Sequence, residues 1–156
     1  MKSRQVGGGS EQRYVLVMET GDAVIAELQR FADERRLASS NFTAIGALSD
    51  VRLGFFDWER KDYVPIVIDE QVEVLSLVGD IALDKGKPKI HAHLVVGKRD
   101  GTAHGGHLLE AHVRPTLELV LVESPVALAR RIDATSGLAL IDLDAQPRTA
   151  QPRQRT

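Results

Sequence analysis

The chemistry-bearing residues of this chain are concentrated. All five histidines, His91, His93, His104, His107 and His112, fall within 22 of the 156 residues. Imidazole is the commonest transition-metal ligand and the side chain that titrates near neutral pH. In a strand, residues i and i+2 share a face, so His91 and His93 point one way while Ile90, Ala92 and Leu94 point the other. Arg99-Asp100-Gly101-Thr102 reads as a two-residue hairpin turn of type I′, which lays residues 102–110 beside the His91–His93 strand. With a strict two-residue turn, His104 opposes Gly97 and His107 points away. A one-residue bulge at Gly105-Gly106 places His107 opposite Val95, on the His91/His93 face. Glycines inside strands often mark bulges, so the spacing predicts a bulge there that aims His107.

Three imidazoles converging on one face form a zinc-type donor set, and a vacant fourth position would admit water or a ligand. The residues alone leave three readings open: a metal site, a hydrogen-bonded polar face at a subunit interface, or acid–base chemistry without metal. Glu110 is a candidate carboxylate to orient a histidine, or else a solvated strand-end side chain. For an enzyme, Glu110 and Asp57 are the candidate acid or base, and no catalytic residue is assigned. Several chemistries are excluded. There is no cysteine, hence no disulfide, thiolate nucleophile or Cys-x-x-Cys zinc site. A cupin would need a glutamate shortly after His-x-His, where Val95 to Gly97 stand. No nucleotide-binding glycine pattern and no G-x-S-x-G is present.

The segments that must hold the cluster read as short strands between turns. Tyr14 to Met18 is a buried strand. Asp22 is placed as the N-cap of one long helix that runs to about Leu37, with Val24, Ile25, Leu28, Phe31 and Ala32 at helical spacing. Strands follow over 42–49, with Gly46 as a candidate bulge, and over 51–57 after a turn at Ser49-Asp50. Further strands are expected over 63–68, 72–78 with a continuation to Leu83, 89–97, 102–109 and 116–123. A short helix is expected over 126–131 after Ser124-Pro125, and an edge strand over 138–142. With one helical crossover a doubly wound sheet is excluded. The expected class is α+β: a mostly antiparallel sheet packed against one long helix, in a single domain.

Residues 1–12, with Gly7-Gly8-Gly9-Ser10, read as a flexible leader, 13–142 as the domain and 143–156 as a disordered basic tail. The net charge of −2 is unevenly spread. Residues 13–144 hold 15 Lys+Arg against 21 Asp+Glu, a balance of −6, while the two ends carry +4. An acidic body repels a phosphate backbone, so any DNA contact falls to the basic tails. No apolar run approaches the roughly 18 residues of a membrane span, and the opening residues have no apolar centre like that of a signal peptide. The expectation is a cytoplasmic protein.

His91-Ala-His93, Gly105-Gly-His-Leu-Leu-Glu110 and Pro115-Thr-Leu-Glu-Leu119 together resemble the signature of the plant and prokaryote conserved (PPC) domain. Ala44-Ile-Gly-Ala-Leu48, Leu53-Gly-Phe-Phe-Asp57, Tyr63 and Leu75-Ser-Leu-Val-Gly-Asp80 are similar to its other characteristic blocks, so the resemblance spans residues 13–142. It implies a homotrimer with a histidine trio, His91, His93 and His107, that holds a divalent metal, with zinc the leading candidate. It also implies a DNA-binding or transcription-associated role. The alternative is a metal-dependent small-molecule binder or enzyme of unknown substrate. His104 and His112 lie outside the motif's fixed positions. The Arg-Gly-Arg-Pro hook of plant members is absent; Pro147-Arg148 and Pro152-Arg153 lack its glycine.

Overall fold

A computed structural model describes residues 1–145. Among them, one helix and nine strands occur in the order β1 (Lys2–Gly7), β2 (Gln12–Glu19), α1 (Val24–Arg35), β3 (Ser39–Asp57), β4 (Asp62–Ile68), β5 (Val72–Asp84), β6 (Lys87–Gly97), β7 (Ala103–Glu123), β8 (Ala129–Ile132) and β9 (Ala139–Asp142). All ladders are antiparallel except the single β5–β8 bridge at Leu83 and Ala129. β3 pairs with β5, β5 with β6, β6 with β7 and β7 with β3, so these four strands close a ring.

The long strands arise where the sequence reads as two short ones. The expected turn at Ser49-Asp50 is an irregularity inside the 19-residue β3, which bends rather than stops. Segments 102–109 and 116–123 are likewise one 21-residue strand, β7. Gly46, expected as a bulge, is one. The β3–β5 register shifts there, its φ is +152°, and an added Cβ would lie 2.2 Å from the Thr116 carbonyl oxygen. No L side chain fits that combination.

Four expectations are corrected. The helix is short, 12 residues or about three turns. Its N-cap is Ala23, because the Asp22 carboxylate instead accepts the Glu19 backbone N–H at 2.9 Å. Arg36 then closes the helix in a left-handed conformation. The leader is not free chain over residues 2–7, which form β1, in register with β2 from Lys2–Val17 to Gln5–Tyr14. Its side chains are all exposed, so backbone ladder bonds and the Lys2–Glu19 ion pair hold it, not burial. The helix expected over 126–131 is absent; Ala129–Ile132 is extended and pairs with β9. Of the tail, only residues 143–145 fall within the described chain.

The core forms where α1 lays Val24, Leu28, Phe31 and Ala32 on the inner face of the sheet, against Leu16, Leu94, Leu117 and Leu119. Tyr14 meets Phe31 edge to face at 5.3 Å. Each such side chain contributes about 1.5–3 kcal/mol by leaving water. Along β6, Ala92, Leu94 and Val96 enter this core, which turns His91 and His93 to the outer face and fixes their position to that of the packed strand.

Candidate metal centre

The outer face gathers the three histidines. In the β6–β7 ladder His93 stands directly opposite His107, and Leu94 opposite Gly106. The expected bulge at Gly105-Gly106 does not occur in this ladder, which runs without a shift from Gly97–Ala103 to His93–His107. The turn itself supplies the register. Lys98 N–H bonds to the Thr102 carbonyl at 2.9 Å, and Gly101 takes φ +83°. The loop is therefore three residues, the form with a left-handed glycine at its third position. One extra loop residue does what the bulge was expected to do. The glycines serve close approach instead, since a Cβ on Gly106 would meet the Gly54 carbonyl oxygen at 2.9 Å.

The ring centroids are 5.2 Å apart for His91–His93, 5.2 Å for His91–His107 and 5.4 Å for His93–His107. One nitrogen from each ring lies within 4.8 Å of the other two. The Nε2 atoms of His91 and His93 are 3.2 Å apart. Tetrahedral Zn–N bonds of about 2.0–2.1 Å place ligand nitrogens roughly 3.3 Å from each other, so this pair already has the required spacing. The Nδ1 of His107 is buried without a hydrogen-bond partner. Leaving such a nitrogen unpaired costs about 1–3 kcal/mol, a cost that a ring held ready for a ligand accepts. The residues present thus fit a divalent ion.

Protonation favours the same use. Burial, reinforced by His91 and His93, lowers the His107 pKa to about 4. Burial also lowers that of His91, against the pull of Asp80, with Arg130 and His93 adding to the decrease. Both rings are neutral at pH 7, the form that ligates.

Two neighbours act on these rings. Asp80 is opposite His91 in the β5–β6 ladder and places Oδ2 3.7 Å from His91 Nδ1; its other oxygen bonds Arg130. At that distance the carboxylate acts on His91 through its charge rather than through a hydrogen bond, and a carboxylate behind a ligating imidazole favours metal binding. Tyr63 stacks on His107, centroids 4.5 Å apart and planes 22° apart. Tyr63 lies over Gly54, where a Cβ would meet the ring at 2.7 Å. Gly54 is in turn the β3 partner of His107. Sequence reasoning assigned no role to Asp80, Tyr63, Gly54 or Arg130, although the first three stand inside the blocks that carried the resemblance.

The other candidates lie elsewhere. Glu110 is exposed and 3.9 Å from Arg52. Asp57 caps a turn, accepting the Glu59 and Arg60 N–H groups at 3.0 Å. His104 is exposed opposite Val96. His112 bonds Asp50 through Nδ1 at 2.8 Å, which raises its pKa despite some burial. Beside His91 and His107 opens a cavity of about 200 Å³, walled by Ile90, Leu138, Leu140 and Arg130. Among the described residues, no helix is long and apolar enough to cross a membrane.

Comparisons with known proteins agree with this architecture. The family model of the Plants and Prokaryotes Conserved (PCC) domain matches residues 5–125. A crystal structure from Bacteroides thetaiotaomicron, provisionally named a DNA-binding protein, is 26% identical with a TM-score of 0.84, over 92% of this chain and 99% of that one. A protein from Archaeoglobus fulgidus named as metal-containing is 31% identical with a TM-score of 0.78, over 90% and 99%. A curated relative, the bifunctional protein GlmU of Synechococcus sp. (strain JA-3-3Ab), is 30% identical over 147 residues, but the chain spans only 22% of its length.

Proposed function

As a chain that belongs to the Plants and Prokaryotes Conserved (PCC) domain family, this protein is, we propose, a cytoplasmic homotrimer in which His91, His93 and His107 hold one divalent metal ion, with zinc foremost. The observation that carries the reading is the convergence of three imidazole nitrogens within 4.8 Å, in an environment that strips the proton from His107. When bound, the ion supplies a Lewis-acid centre with a position left for a further ligand. The Asp80 charge favours metal binding at His91, and Tyr63 keeps the His107 ring from turning out of the site. The metal-containing name of the Archaeoglobus protein supports the same reading.

Self-association is supported by the outer face of the sheet. Ile45, Leu75, Val78, Val95 and Val120 are between 40% and 64% exposed there, and Val78 is the ladder partner of His93. An apolar band of this kind is costly in water and is the usual mark of an interface. Copies of the chain covering it would bury the band beside the metal.

Two roles follow for such an assembly. DNA-associated regulation is supported by the provisional name of the Bacteroides protein, with the basic ends as the contact. Binding of a small molecule at the metal is supported by the cavity beside His91 and His107. The cavity is an observation on this chain and the body carries −6, so the second role is the stronger. Metal analysis of protein purified without a nickel column tests the centre. About one ion per chain is expected, and less than roughly one-tenth, with unchanged stability in His91→Ala/His93→Ala, overturns it. Light scattering tests the trimer. A gel shift at physiological salt tests DNA binding, and no retention at micromolar protein removes that role.

A further inference from the structure

The β8–β9 hairpin gives the cavity a character of its own. It lies outside residues 5–125, the span the family model matches, and it joins the main sheet at a single bridge. It supplies Arg130 on one strand and Ala139 and Leu140 on the other, with Leu138 just before. The Arg130 side chain is only 3% exposed. One guanidinium nitrogen bonds Asp80, another bonds the Ala139 carbonyl at 3.1 Å, and Nε is buried with no partner. Arg130 lines the cavity, and a buried cationic donor left unpaired is costly enough to favour an acceptor brought beside it. The remaining wall sets apolar Ile90, Leu138 and Leu140 beside Tyr63 and the Lys89 ammonium, a second cation that reaches Asp84 at 3.4 Å.

We infer that this cavity binds a small organic acid, with its carboxylate between Arg130 and the metal centre and its hydrocarbon part against Ile90, Leu138 and Leu140. The inference rests on the metal reading above, and it adds the ligand class and the residue that selects it. The charges agree. Neutral imidazoles leave a divalent ion's charge uncompensated, and Asp80 already bonds Arg130. Size sets the class. About 200 Å³ holds roughly seven waters at ~30 Å³ each, which suits a short acid and lies below the ~300–1,000 Å³ of pockets for larger ligands.

The test titrates straight-chain monocarboxylates, acetate to hexanoate, and their primary amides into the full chain by calorimetry, once loaded with zinc and once stripped. Metal content is read first. Saturable binding with an optimum among the longer acids is expected, with the amides much weaker. Arg130→Lys keeps a cation beside Asp80 but loses the Nε donor, and should weaken the acids about tenfold or more. Leu140→Trp fills the cavity from a partly exposed position and should exclude the longer acids while sparing acetate. Acids that do not bind the zinc-loaded chain, or that bind both variants as they bind the wild type, overturn the inference and leave the metal centre standing. A chain that takes up no zinc defeats the metal reading instead. The stripped chain then decides the pocket, since Arg130-dependent binding retains it and indifferent binding ends it.

Discussion

His107 and His112 stand five residues apart on β7 and have opposite fates. His107 is sunk beside two other imidazoles under a tyrosine ring, with no carboxylate in reach, and its pKa falls to about 4. His112 sits at the Ser49-Asp50 irregularity of β3, and the Asp50 carboxylate 2.8 Å away raises its pKa. One is a neutral ring whose buried Nδ1 has no hydrogen-bond partner; the other is half of an ion pair at neutral to acid pH. The residue type therefore carries little of the function. What separates the two is the residue of β3 each faces: Gly54, which admits Tyr63, or Asp50, which supplies a charge.

The comparison breaks first on metal. His91→Ala/His93→Ala should remove essentially all bound ion, whereas His112→Gln should leave the stoichiometry near one, as read by elemental analysis. Equal loss from both would erase the distinction. Next comes Asp80→Asn, which keeps the shape and the Arg130 contact but removes the charge beside His91. A loss of metal affinity of about 10–100-fold is expected in competition with a chromophoric chelator. Gly54→Ala drives a methyl into Tyr63 and should unseat it from His107, destabilising the fold by about 1–3 kcal/mol and loosening the metal as well; a variant that melts lower yet holds metal as tightly as wild type would show that the stack does not position the ring.

Smaller effects should appear in pH. His107 is depressed on folding, so in metal-free protein the unfolded chain binds its proton first, and stability falls as pH drops from about 6.5 toward about 4. His112 is raised, so its contribution is complete below the unfolded value of about 6.5 and fades as pH rises through the folded one. Both rings are partly exposed, which holds these effects down. Proton NMR of the histidine C2–H signals should give two midpoints on opposite sides of the ordinary value; coincident midpoints would contradict the environments described. Smallest is Asp50→Asn, about 0.2–1 kcal/mol at pH 6 and less at pH 8.

The site was legible where local pattern decides and not where long-range pairing does. His91 and His93 share a face because strand parity requires it, and the apolar Ala92, Leu94 and Val96 say which face turns inward. Adding His107 to them was right as a geometric placement, but by the wrong device. A three-residue loop and a two-residue loop with a bulge both turn His107 to the His91/His93 face, opposite His93 or opposite Val95, and the sequence Arg99-Asp100-Gly101-Thr102 permits either. The short helix expected over 126–131 failed because Ser-Pro capping is a local preference, and pairing with β9 outweighed it. The leader failed for the converse reason: glycines signal freedom, yet Lys2 to Gly7, the first of those glycines included, found an open edge of β2.

Composition and parity were enough to determine a mostly antiparallel, strand-rich fold and the inward and outward faces of β6, while the family resemblance singled out His107 as the third histidine. They are properties of residues near one another in the chain, where alternation and sterics act directly. Asp80 behind His91, Tyr63 over Gly54, and Arg130 in the cavity wall were decided only by the closed ring of β3, β5, β6 and β7 and the hairpin against it. The first two pairs depend on the register of a hairpin and Arg130 reaches Asp80 from 50 residues away; each position taken alone is an ordinary strand residue, and only the packed sheet selects which of the many compatible pairings forms.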